Sequence, residues 1–285
     1  GDKDAIEANP IEELLTLYVK FHEDAEQDPS LEDEGRAWFK KLENGDAEAV
    51  ELWKWFSDLS WKEFQRVYKM LGVKFDEVLG ESFYNDKLEA VVQETFDKGL
   101  AEWGEALARD EEESGESAKK EQVALIKLDE YGIETPLLIQ KSDGTSLYAT
   151  RDLATAKYRI ERWNPEEILY VVGGEQQLYF RQWFKALELM GYDTKLNHIW
   201  FGLVRLPGGR MSTRKGRVIY LEDVLNEAIS RTQEILKDRE LTEEEKREIA
   251  QIVGVGAVKY TGLAQNRIKD VVFDWDTMLN MQGDS

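Results

Sequence analysis

Cysteine is absent from these 285 residues, histidine occurs twice and proline five times. The lack of cysteine excludes disulfides and thiolate metal sites, and it suits a reducing cytosol. With His22 and His198 as the whole histidine supply, a multi-histidine zinc site has no ligands, and no metal site is expected. No run approaches the roughly 18 consecutive apolar residues of a membrane span. A cytoplasmic protein without a membrane partner is therefore the expectation. The opening Gly1-Asp2-Lys3-Asp4 has neither an initiator Met nor the basic-then-apolar pattern of a signal peptide, and reads as a processed or excised start. The length is enough for one or two domains with a sizeable core.

Basic residues are in the minority, 37 against 58 acidic, for a formal charge of −21. That balance argues against broad, nonspecific binding to nucleic acid. Acid is dense at Asp110 to Glu113 and at Glu243 to Glu245. Between Phe201 and Tyr220 it disappears, while Arg205, Arg210, Arg214, Lys215 and Arg217 follow one another. Taken alone, such a cluster is a solvated basic surface.

Periodicity divides the chain. Pro10 suits a first helical position, and Ile11, Leu14, Leu15, Tyr18 and Phe21 form an apolar stripe near 3.6 residues per turn. Further helices are expected from about 47 to 71 and from about 86 to 99, with Trp38, Trp53, Trp55 and Trp61 as core aromatics. The polar, acidic stretch 109–120 reads as a solvated loop. Short strands follow at 123–126, 137–139 and 146–148, with Asp143-Gly144 as a type I′ turn between the last two. The pattern then alternates: helix 152–163, strand 168–172, helix 176–190, strand 198–204, the basic loop, and a helix from about 221 to 237. That order implies parallel strands joined by right-handed crossovers, an α/β fold. Thr242 and Glu245 form a capping box for one more helix.

The most specific segment is Arg210-Met-Ser-Thr-Arg-Lys-Gly216. It resembles the Lys-Met-Ser-Lys-Ser loop of class I aminoacyl-tRNA synthetases, in the form typical of many arginyl enzymes. Pro207, Gly208 and Gly209 make a flexible approach to it, and its cations can stabilise charge that develops on ATP phosphates. Other blocks resemble the arginyl family in the same order. They include Glu81-Ser-Phe-Tyr-Asn-Asp86, Ser142 to Asp152, Val171-Val-Gly-Gly-Glu-Gln176, Phe180-Arg-Gln182, Gly254 to Tyr260, Asn266-Arg267 and Phe273-Asp-Trp275.

The resemblance implies a second half of a Rossmann-type parallel sheet (121–240), with a mainly helical connective insertion before it (1–120). The start of a helical linker towards an anticodon-binding domain follows (241–285). It implies ATP as a substrate together with Mg²⁺, and L-arginine and tRNA(Arg) as partners. Arg214, Lys215, Ser212 and Arg210 are the implied catalytic residues. Tyr148, Asp152 and Gln176 are the implied arginine site, with Asp152 gripping the guanidinium. Met211, Gly173, Gly174 and His198 are implied to lie at the nucleotide. Asp152 has a plainer reading as a helix N-cap, and the two roles can coexist. The chain departs from the family pattern in three places. Arg210 and Thr213 replace the two signature lysines, and Tyr179 stands where many relatives carry histidine.

The family's His-x-Gly-His motif does not occur here. The expectation is a piece of an arginine–tRNA ligase, inactive by itself, whose other catalytic half lies in the same parent chain or in a second polypeptide. Two alternatives stay open: a non-catalytic interaction module derived from a synthetase, and a class I synthetase for another amino acid. Retention of Asp152, Gln176 and the basic loop counts against the first. Tyr148 with Asp152 counts against the second.

Overall fold

A computed structural model describes residues 1–107, 120–206, 209–211 and 218–275. The described chain forms two compact units. One contains residues 1–76 together with 204–266 and the residues from 270 onward; the other contains 77–203 with 267–269. No described helix is long and apolar enough to cross a membrane.

The first unit opens with α1 (Lys3–Ala8), α2 (Pro10–Gln27), α3 (Ser30–Glu43) and α4 (Ala47–Leu71). Pro10 is the first residue of α2, where its missing N–H is no loss. Asp46 caps α4 by accepting the Ala49 N–H at 3.1 Å, and Gly72 ends it at φ +66°. The expected aromatic core did not form here. Trp38 and Trp53 are 41% and 40% exposed, and Trp55 and Trp61 are half-buried. The fully buried positions of these helices are Ile6, Pro10, Ala25 and Ala49. The rings of these helices stay half-buried or exposed.

The second unit holds the main core. It begins with a 3₁₀ turn over Glu81–Lys87, then α5 (Leu88–Asp97), β1 (Ala101–Leu107), β2 (Lys120–Ile126) and β3 (Leu137–Lys141). These three strands form an antiparallel sheet in chain order. α6 (Tyr148–Trp163), β4 (Glu167–Tyr170), α7 (Gln177–Leu189) and β5 (Lys195–His198) follow. β4 and β5 pair in parallel through the α7 crossover. Ile126, Leu128, Ile139, Leu153, Trp183, Leu187 and Met190 are buried together between sheet and helices.

Two local expectations changed. The turn after β3 is not type I′, because Gly144 (φ +88°) has positive φ while Asp143 does not. The Gly144 N–H donates to the Lys141 carbonyl at 3.0 Å and the Lys141 N–H to the Thr145 carbonyl at 2.9 Å. This is a three-residue loop with a glycine bulge. The strand placed at 198–204 instead runs Lys195–His198. Its polar start is held by Glu167, which meets the Lys195 ammonium at 2.8 Å and accepts from the Asn197 amide at 2.6 Å. Cross-strand pairing, rather than apolar content, made these residues a strand.

The first unit is completed by β6 (Val204–Leu206), β7 (Gly209–Arg210), α8 (Leu221–Leu236), α9 (Glu243–Ala264) and β8 (Val271–Val272). The capping box is present, with the Glu245 N–H donating to Thr242 Oγ1 at 3.3 Å and the Thr242 N–H to Glu245 at 2.8 Å. Val67, Met70 and Leu71 of α4 pack on Val224, Leu225 and Ala228 of α8 and on Val255 and Val258 of α9. Gly254 permits the close contact of α8 and α9. A Cβ there would lie 2.8 Å from Ile229 Cα and N and 2.9 Å from Ala228 C. At Gly256, on the exposed side, a Cβ meets nothing within 4 Å.

The two glycines should therefore respond oppositely to alanine. Gly254→Ala is expected to lower stability by about 1–3 kcal/mol through overpacking against backbone. Gly256→Ala is expected to raise it by about 0.5–1 kcal/mol through helix propensity. Urea unfolding of both variants checks this, and equal responses would remove the close-approach explanation.

Candidate active site

The end of β3 determines where α6 begins. The Leu147 N–H donates to the Ile139 carbonyl at 3.0 Å, and the buried Thr150 hydroxyl donates to the same oxygen at 2.5 Å. Leu147 is thereby the residue that caps α6, and Tyr148 is its first residue. This corrects the expected strand through Tyr148 and the helix start at Asp152. Asp152 lies more than one turn inside the helix and caps nothing. Tyr148 and Asp152 are four apart and share one helix face. Tyr148 is 69% exposed and Asp152 half-buried.

Asp152 accepts a hydrogen bond on Oδ2 from the Tyr179 hydroxyl, which reaches across from α7. Its pKa is raised above the ordinary carboxylate value, foremost by burial. The Tyr179 bond works against the rise, the nearby Glu81 charge adds to it, and Arg159 reduces it. Tyr170 is pushed up to about 12, again chiefly by burial, with Arg159 opposing and Asp152 and Tyr84 adding. Tyr84 is 2% exposed, and its hydroxyl has no hydrogen-bond partner among the described residues. Asp152 is thus partly desolvated, with the Glu81 carboxylate near enough to act on it. A carboxylate in that setting can accept a planar, bidentate cation.

The carboxyl ends of β4 and β5 gather a second group. Gly173 bridges Phe201 in parallel, and the Gly174 N–H donates to the Phe201 carbonyl at 2.8 Å. A Cβ on Gly174 would come within 2.9 Å of the Trp200 ring, so glycine is required by close approach. Gln176 is exposed and caps α7. Tyr179 follows one turn later on the same side. His198 ends β5, where its ring stacks on Phe180 at 4.0 Å and 17°. Its Nε2 is 3.1 Å from the Val172 carbonyl oxygen. These contacts hold the imidazole as a packing group beside the glycine turn.

The compact unit of residues 77–203 contains Tyr148, Asp152, Gly173, Gly174, Gln176 and His198. Arg210 and Met211 belong to the other unit. The Arg210 backbone pairs antiparallel with Arg205, and Met211 follows half-buried. Ser212, Arg214 and Lys215 lie outside the described residues. Glu81 and Tyr179 were not expected at Asp152. The segment Glu81 to Asp86 stood out in the sequence, yet its link to a helix some 70 residues away is a matter of folding alone.

Class I tRNA synthetases (R), catalytic domain, match residues 1–275. The chain belongs to that family. It is 48% identical to an arginine–tRNA ligase of Halothermothrix orenii over 287 aligned residues, covering 100% of this chain and 48% of that protein. For the enzyme of Clostridioides difficile the identity is 49%, with the same coverage. The chain thus spans about half the length of these curated relatives. Among solved structures, an arginyl-tRNA synthetase of Plasmodium falciparum has a TM-score of 0.69 at 25% identity, covering 90% of this chain and 41% of that one. A Thermus thermophilus arginyl-tRNA synthetase gives 0.67 at 21% identity, covering 93% and 47%, a likeness of fold.

The raised pKa of Asp152 has a thermodynamic consequence in this synthetase domain. A carboxyl group whose folded pKa exceeds its unfolded value favours folding below the unfolded value and loses that contribution as pH rises through the folded one. Ionised Asp152 therefore opposes folding at pH 7. Asp152→Asn is expected to leave the melting temperature at pH 7 unchanged or higher, with the difference shrinking below about pH 4. Calorimetry at the two pH values measures this. A lower melting temperature at pH 7 would make Asp152 a structural residue.

Proposed function

We propose that this chain is part of an arginine–tRNA ligase that activates L-arginine with ATP and transfers it to tRNA(Arg). The observation that carries this reading is the desolvated Asp152 carboxylate on the same helix face as Tyr148, bonded by Tyr179 in the first turn of α7 after Gln176. In it Asp152 accepts two guanidinium N–H bonds, Tyr148 flanks the side chain, and Gln176 orients the amino acid from the cap of α7. Membership of the family and the likeness to enzymes named arginine–tRNA ligase support it.

The chemistry needs no protein base, because the arginine carboxylate is already an anion. One of its oxygens attacks the ATP α-phosphorus in line, and the bond to pyrophosphate breaks. The task is positioning and stabilisation of charge. Arg214 and Lys215 stabilise the charge building on the phosphates, assisted by Ser212 and Arg210. Gly173, Gly174 and Met211 approach the nucleotide, and His198 backs the glycine turn. Among the described residues no group of His, Asp and Glu side chains is arranged to hold a metal. In this reading Mg²⁺ accompanies ATP, bound through its phosphates. In the same reading residues 1–120 are the connective insertion, 121–240 the second Rossmann half and 241–285 the start of the linker, and the protein works in the cytoplasm.

Two measurements on the complete protein carrying this chain test the roles. Asp152→Asn should raise the KM for arginine about ten- to a hundred-fold, the equivalent of roughly 1.5–3 kcal/mol for a charged hydrogen bond, and leave the KM for ATP nearly unchanged. An unchanged arginine KM removes the arginine reading of the pocket. Arg214→Ala and Lys215→Ala should lower kcat for adenylate formation on the order of 10²-fold with little effect on arginine binding. If both alter only the affinity for tRNA, the loop is a nucleic-acid contact instead.

A further inference from the structure

We propose that Tyr179 is a positioning residue that holds the Asp152 carboxylate in the orientation receiving the cationic end of the substrate. The proposal rests on the reading of Asp152 as the guanidinium acceptor. Its basis is geometric. Tyr179 lies in the first turn of α7 and Asp152 in α6, and the phenol hydroxyl donates to Asp152 Oδ2 between the two helices. The Tyr179 ring stands edge-on to Phe180 at 6.0 Å and 84°, and Phe180 is buried in the core. One end of the donor is thus anchored by packing.

The choice of donor matters as much as its place. Asp152 faces Tyr179 from α7, Glu81 from the 3₁₀ turn, Tyr170 from β4 and Arg159 from its own helix. Arg159 is the cation among these, and its guanidinium stands 5.7 Å over the Tyr170 ring. A charged donor at position 179 would neutralise Asp152 and compete with a cationic substrate. A phenol orients one carboxylate oxygen and leaves the negative charge in place. Burial drives the Asp152 pKa up, and the phenol bond opposes that rise, so the same contact favours the ionised form.

The experiment has two arms. In the 285-residue chain, the Asp152 carboxyl is titrated by carbon-13 NMR in wild type and in Tyr179→Phe. The group is expected to titrate at higher pH in the variant. In the complete protein, Tyr179→Phe should raise the arginine KM about ten-fold, change kcat less than about two-fold, and move the acid limb of kcat/KM for arginine to higher pH. A lower melting temperature with arginine KM and acid limb at their wild-type values would overturn the proposal and leave Tyr179 a packing residue. Should the phenyl variant fold poorly, 3-fluorotyrosine at 179 keeps the ring and strengthens the donor. Asp152 should then titrate at lower pH, and no movement again overturns the proposal. The underlying reading fails separately. If Asp152→Asn leaves the arginine KM unchanged, the pocket is not an arginine site, whatever the titration gives.

Discussion

The Ile139 carbonyl accepts from both the Leu147 N–H and the Thr150 hydroxyl, and the candidate site depends on that shared oxygen. It ends the loop after β3 and starts α6 at Tyr148, and the buried Thr150 hydroxyl has no water to turn to. A helix begun four residues later would give Tyr148 and Asp152 no common face. It would also leave the Thr150 hydroxyl in an apolar core, where a lost partner costs about 1–3 kcal/mol. The glycine bulge at Gly144 serves the same end by returning the chain from Lys141 to Thr145 in three residues.

From that start follow the electrostatics of the pocket. Asp152 is drawn inward far enough that burial outweighs its hydrogen bond, so its carboxylate is held at some expense to the fold. Glu81 adds like charge and Arg159 only partly answers it. A group of this kind is poorly suited to stabilise a fold and well suited to bind a cation, and binding sites commonly carry such strain. The surrounding aromatic layer of Tyr170, Phe180, Trp183 and Phe184 supplies the rigidity, with ring centroids 4.4–5.7 Å apart.

The other unit is held by different means. Its helices join across a long stretch of sequence, where Arg66 of α4 bonds both carboxylate oxygens of Glu222 at the start of α8. Lys259 of α9 donates to the Leu71 carbonyl at 2.9 Å. Surface ion pairs contribute little alone. The apolar contact of α4 with α8 and α9, together with the close α8–α9 approach that Gly254 permits, carries the packing. The aromatic side chains of α2 to α4 take little part in it.

Local signals determined much of this protein in advance. Pro10, the ends of α4, the bounds of α8 and the Thr242–Glu245 box were legible because caps and 3.6 periodicity act within one or two turns. The alternation around Ile168 and Gly173 likewise announced a parallel pair, and the motifs at Tyr148, Asp152 and Gln176 named the candidate site. What remained hidden depended on partners distant in sequence. Lys195 and Asn197 are strand residues because Glu167 lies beside them, and Trp38 and Trp53 are partly exposed because no neighbouring element covers them fully. Tyr179 became part of the Asp152 site only when α7 was folded against α6. Hydrogen bonding and desolvation act through space, over distances that a linear pattern does not encode.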